Sequence, residues 1–100
     1  MNIVAFRTLR TFYEKHRDCE QQLKTWDKEA SSSDWRSPEE IKELFASASI
    51  LKANRVVFNI KGNKYRLIVA IAWKQQALYI KFLGTLADYD RIDATTIEPE

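Results

Sequence analysis

Arg55 to Ala87 reads RVVFNIKGNKYRLIVAIAWKQQALYIKFLGTLA, and its period of two decides the fold. Val56, Phe58 and Ile60 alternate with Val57, Asn59 and Lys61. Tyr65, Leu67, Val69, Ile71 and Trp73 then alternate with Lys64, Arg66, Ile68, Ala70 and Ala72, and Leu78, Ile80 and Phe82 with Tyr79, Lys81 and Leu83. This spacing marks strands with one buried face. Gly62-Asn63 tolerates the positive φ of a two-residue hairpin turn, and Gln75-Gln76 is taken as a second turn, giving a three-stranded antiparallel meander.

These turns set a register. The first pairs Ile60 with Tyr65, Asn59 with Arg66 and Phe58 with Leu67; the second pairs Trp73 with Leu78, Ile71 with Ile80 and Val69 with Phe82, which brings Arg66 opposite Thr85. One face is then large and apolar, so helices must cover it. The other carries Asn59, Lys61, Lys64, Arg66, Tyr79 and Lys81 around the small Ala70 and Ala72, and is expected to be free for function.

Charge singles out the same stretch. It holds six basic residues and no acidic one, whereas the chain as a whole has 16 Lys+Arg and 14 Asp+Glu. The remainder is net acidic, and such asymmetry points to an anionic partner for the sheet. A solvated basic face is the bland alternative for scattered lysines. An arginine on a central strand, flanked by aromatics and followed by TLADYD, favours a site.

Upstream, Asn2 to Phe6 suits an edge strand, and Phe6, Leu9, Phe12 and Tyr13 recur at helical spacing, predicting a helix over 7–16. Cys19, Leu23, Trp26 and Ala30 predict a second, broken by Ser31-Ser32-Ser33-Asp34. Ser37-Pro38-Glu39-Glu40 reads as N-cap, N1 proline and capping box of a third helix, running to about Ala46 and burying Ile41, Leu44 and Phe45. Trp35 is read as a staple onto the core, and Ile50-Leu51 as a connector tucked under the sheet.

One hundred residues make one domain with a modest core, and the expected fold class is α+β. Only the polar tail 94–100 is expected to be loosely held. The first residues lack the pattern of a signal peptide, and no apolar run approaches the ~20 residues that span a bilayer, so a cytoplasmic protein with no membrane partner is expected. The single cysteine, Cys19, reads as a half-buried helix residue rather than a nucleophile. His16 reads as a solvated residue in a KHRD run, and no metal set or cofactor is expected.

The segments NRVVFNIKGNKYRLIVAI, YIKFLGT and ADYDRIDA closely resemble the HigB-type toxins of bacterial toxin–antitoxin modules. The resemblance covers nearly the whole chain, and rests on the Asn59 and Gly62-Asn63 hairpin, the Tyr65-Arg66 pair and the closing Tyr89-Asp90, in that order. It implies the RelE-like fold, with amino-terminal helices on one face of a small antiparallel sheet. It also implies a metal-independent endoribonuclease that cuts mRNA on the ribosome, and a cognate HigA-type helix-turn-helix antitoxin as partner. The chain departs from the family's Gly-Thr-His-x-Glu/Asp-Tyr-Asp pattern at one place, since Leu86 stands where the histidine is expected. Leucine neither moves a proton nor donates a hydrogen bond. It could be a natural weakening or a replacement that allows a toxic protein to be produced; the intact surrounding motif favours the second.

RNA cleavage by a ribose 2′-OH needs a base, an acid and fixed positive charge for the transition state. Within the resemblance, Arg66 is expected to clamp the phosphate, Lys81 and Lys64 to add charge, and Lys61 to steer the backbone. Tyr89 is the remaining candidate for proton transfer or base stacking, and Asp90 orients a neighbour or caps a turn. Asn59, Asn63 and Tyr79 complete the RNA-binding set. The expected product is a toxin of reduced activity. The alternatives are a non-catalytic module that binds RNA or an antitoxin, and a generic single-strand RNA-binding sheet; the latter's Gly-Phe strand motifs are missing.

Overall fold

A computed structural model of the chain describes residues 1–99. Three strands, β3 (Arg55–Ile60), β4 (Tyr65–Ala72) and β5 (Ala77–Thr85), form the antiparallel meander. Two short strands flank it: β1 (Asn2–Val4) runs parallel to β5, and β2 (Ser49–Leu51) antiparallel to β3, in the order β1-β5-β4-β3-β2. Ile50-Leu51 therefore forms an edge strand rather than tucking under the sheet, and Ile50 is exposed. β2 pairs only with Arg55 to Val57, so the outer edge of β3 is open from Phe58 onward.

The β3–β4 register is the expected one, with Ile60 opposite Tyr65 and Asn59 opposite Arg66. Lys61 and Gly62 take positive φ, and the Lys64 N–H closes the turn on the Lys61 carbonyl at 3.2 Å. The β4–β5 register differs from expectation. Ala72 pairs with Ala77, Ile71 with Leu78 and Val69 with Ile80. No Gly, Asn or Asp fixes which pair within Lys74-Gln75-Gln76 sits at the centre of the turn. The chain instead turns one residue earlier, over Trp73 to Gln76 around Lys74-Gln75, with Gln76 at positive φ and its N–H on the Trp73 carbonyl at 3.2 Å.

A bulge then shifts the pairing between Ile68 and Val69, leaving Lys81 unopposed, so that Phe82 faces Ile68, Leu83 faces Leu67 and Gly84 faces Arg66. Phe82 thus leaves the core face and Leu83 joins it, the reverse of strict alternation. Gly84, not Thr85, lies opposite Arg66, and a Cβ there would come within 2.7 Å of the Phe82 ring. Phe82 therefore lies over the glycine.

Helices α1 (Phe6–Lys15), α2 (Glu20–Ser31) and α3 (Pro38–Leu44) come from the amino-terminal half. Leu9, Leu23, Trp26 and Ile41 meet Val56, Phe58, Leu67, Val69 and Leu78 in the core. Each such large side chain stabilises by about 1.5–3 kcal/mol. Phe58 makes edge contacts with Trp26 at 5.3 Å and Phe45 at 5.2 Å, and Trp35 packs on Phe45 as the staple. α3 stops at Leu44, which is exposed instead of buried. The capping box is also altered: the Glu40 carboxylate accepts from the Arg36 N–H at 2.8 Å and the Ser37 hydroxyl at 3.3 Å, and Ser37 makes no cap bond. Residues 17–19 form a 3₁₀ turn that buries Cys19 fully. His16 is half-buried rather than solvated, stacked on Phe12 at 4.3 Å and edge-on to Tyr65.

The second sheet face is not bare. Val57 and Ile68 lie on it and are buried outside the main core, because two such apolar side chains are costly to leave wet. A last short helix, α4 (Leu86–Tyr89), packs on β4 and β5. Beyond it, residues 94–98, expected to be loosely held, hydrogen-bond to Arg55 and Lys81. The final residue of that expected tail, Glu100, lies outside the described residues. No helix among those described is long and apolar enough to cross a membrane.

Candidate functional site

The register arranges the second face in rows. Asn59, Arg66 and Gly84 form one, Val57, Ile68 and Phe82 the next, and Arg55, Ala70 and Tyr79 the third, with Lys81 bulged between the last two. Arg66 is fixed at the hairpin end, where its Nη1 donates to the Asn63 carbonyl at 3.1 Å and the Tyr65 carbonyl at 3.2 Å. Its guanidinium lies 5.8 Å from the Tyr89 ring centroid, within cation–π range. Among the described residues, none of the ion pairs includes Arg66.

Tyr89 is held there by α4. Thr85 caps this helix, its hydroxyl accepting from the Asp88 N–H at 3.2 Å, and the Leu86 N–H reaches back to the Lys64 carbonyl at 3.1 Å. The second bond ties the helix start to the Gly62 turn. Asp90 closes the helix with its N–H on the Leu86 carbonyl at 3.0 Å, in the capping position, and its side chain is exposed. Leu86 is 38% exposed at the helix start. Arg66, Leu86, Tyr89 and Asp90 are thus brought to one corner, with Asn63 contributing its carbonyl.

The other candidates lie elsewhere. Lys81 pairs with Glu98, Nζ to Oε1 at 2.6 Å, and sits 5.9 Å from the exposed Tyr79 ring. Lys64 turns toward the helical layer and pairs with Asp18 at 2.5 Å, beside the Tyr65 hydroxyl, which donates to the same carboxylate at 2.8 Å. The Lys64 contact, and then the Tyr65 bond, hold Asp18 below the usual carboxylate range. Burial, and then Asp18, push the Tyr65 hydroxyl up. Asn59 and Asn63 line a groove of about 470 Å³ between β3 and α2, with Gln22, Trp26 and Phe58. The Lys61 N–H donates to the Gln22 side chain at its rim.

Burial, and then the neighbouring Asp18 charge, push the Cys19 thiol up, so it is a poor nucleophile. Among the described residues no three His, Cys, Asp or Glu gather as a metal set. One residue of the face went unassigned in sequence reasoning. Arg55, counted only among the basic residues, is buried on the second face and holds the Ala94 and Ile97 carbonyls and the Glu98 carboxylate. Its register position opposite Ala70 was the available signal.

Residues 19–92 match the family described as HigB toxin, RelE-like toxic component of a toxin–antitoxin system. The chain is 25% identical over 92 residues to the mRNA interferase toxin HigB of Escherichia coli K12, covering 90% of this chain and 88% of that one. The same figures hold for the mRNA interferases HigB of Escherichia coli O157:H7 and Shigella flexneri. With helices on one side of an antiparallel meander, and with the family match running over most of its length, the chain belongs to the HigB toxin family.

Proposed function

We propose that this chain is an mRNA endoribonuclease toxin working on translating ribosomes without a metal, and that Leu86 leaves it with reduced activity. The carrying observation is the Arg66–Tyr89 corner, where a guanidinium with free donors faces a phenol on a capped helix. An RNA phosphate placed there would receive a fork of N–H donors on its non-bridging oxygens as negative charge builds. Tyr89 is the group available for proton transfer at the attacking or leaving oxygen, or for stacking on a base. Asp90 caps α4 and so fixes where Tyr89 stands. Leu86, exposed at the start of α4, supplies no proton. The partners are a HigA-type helix-turn-helix antitoxin, mRNA and the ribosome, in the cytoplasm.

The test is Leu86→His. Losing a general acid or base typically costs ~10²- to 10⁴-fold, so the histidine form is expected to raise mRNA cleavage by that order and to arrest growth where the parent does not. Equal cleavage by both forms removes the position from the chemistry. The exposed leucine also favours a second reading, a non-catalytic module that binds RNA or the antitoxin. Under it, Leu86→His gains no toxicity while antitoxin binding is unchanged.

A further inference from the structure

Arg55 is the one buried charged side chain among the described residues, 5% exposed on the second sheet face. A buried guanidinium is strongly destabilising unless its donors are satisfied. Its recorded side-chain partners come from a single segment: the Ala94 carbonyl at 3.2 Å, the Ile97 carbonyl at 2.5 Å and the Glu98 Oε2 at 2.5 Å. That segment lies beyond the family match, which ends at residue 92. A turn anchored by Asp93 shapes it, with the Asp93 carboxylate taking the Thr95 N–H and hydroxyl, and the Asp93 carbonyl taking the Ile97 N–H.

Glu98 is gripped from both sides. Arg55 holds Oε2 and Lys81 holds Oε1, yet the glutamate side chain itself is 57% exposed. Two cations thus converge on the two oxygens of one anion, with a unit of positive charge left over. A phosphodiester presents two non-bridging oxygens to the same pair of donors, and carries the same single charge. Tyr79, exposed and 5.9 Å from Lys81, stands beside the pair as a stacking surface, which is the combination that single-stranded nucleic acid favours.

We infer that Arg55 and Lys81 form a phosphodiester subsite, which Glu98 occupies in the free chain and an RNA phosphate takes over by displacing it. The inference rests on the RNA-cleaving reading and adds to it a second phosphate contact away from Arg66, together with a competitor built into the carboxyl-terminal segment. The tethered carboxylate acts at a high effective concentration, so removing its charge exposes the subsite.

The experiment titrates dimethyl phosphate, at constant ionic strength held with sodium chloride, into the full chain and into Glu98→Gln. Binding is read from the Arg55 Nε–H resonance. Glu98→Gln is expected to bind about tenfold tighter than the parent, and adding Lys81→Gln to it should abolish the gain. Lys81 is the better probe than Arg55, whose replacement opens a buried site. An Arg55 signal unmoved in Glu98→Gln, or equal affinity in both forms, overturns the inference. A parallel titration with a short oligouridylate separates the two proposals. Binding that depends on Arg66 but on neither Glu98 nor Lys81 overturns the subsite and leaves the RNA reading standing. Dimethyl phosphate binding without oligouridylate binding by any form keeps the phosphate subsite but overturns RNA as its occupant, and the RNA reading with it.

Discussion

Arg66 keeps its place through two backbone carbonyls, and this sets what its replacements do. Arg66→Ala is expected to weaken single-stranded RNA binding and to lower the slope of log affinity against log salt by about 0.7, the loss of one phosphate contact. Arg66→Lys restores the charge but not the fork, so it should recover the slope and only part of the affinity; filter binding at several salt concentrations measures both. Asp18 makes a separate prediction. Lys64, and then Tyr65, lower its pKa from the ordinary carboxylate value, so its contribution to stability is present above that ordinary value and is lost as pH falls through the lowered one. Urea unfolding of the parent and of Asp18→Asn should therefore differ at neutral pH and converge in acid. Arg66 was legible in the sequence because it interrupts an apolar strand beside a tyrosine. Arg55 was not, since its value depends on carbonyls that the chain brings to it 39 and 42 positions later.

Alternation located β3, β4 and β5, and a glycine-asparagine turn fixed the first register correctly. The second register escaped because nothing in Lys74-Gln75-Gln76 marks which pair is central, so the turn falls one residue earlier than expected, and a bulge leaves no mark in a period-two pattern. Its effect is large: Lys81 is freed from the ladder, and Phe82 exchanges faces with Leu83. The short edge strands were only half legible. β1 was visible within the short apolar run Asn2 to Phe6, whereas Ile50 in β2 looked like core and is exposed, since an edge strand needs hydrogen bonds more than burial. The first turn carries its own strain, with Lys61 at φ 54 in the left-handed region. Lys61→Gly relieves it, and the expected gain is about 0.5–1 kcal/mol in chemical denaturation, with the Lys61 N–H bond to Gln22 retained. If Lys61 also steers RNA, the same variant binds it more weakly while being more stable.

At the scale of the molecule, the basic stretch and the acidic remainder are two sides of one arrangement. Asp18 from the helical layer answers Lys64, and Glu98 from the carboxyl-terminal segment answers Arg55 and Lys81, while among the described residues no carboxylate answers Arg66 at the corner. Composition displayed the imbalance but not its pairing, which needed the path of the last residues over the sheet.

The parallel contact of β1 with β5 joins Asn2 to Ala77, positions 75 apart, whereas the β3–β4–β5 meander closes through local turns. Loop closure over such a separation is slow, so the order of events is set by topology. In pulsed hydrogen exchange during refolding, amides of Phe58 to Val69 should gain protection before those of Ile3 and Val4. On a ribosome, the residues made first must wait for β5 to emerge, and until β1 docks there the outer edge of β5 is open to any other extended chain.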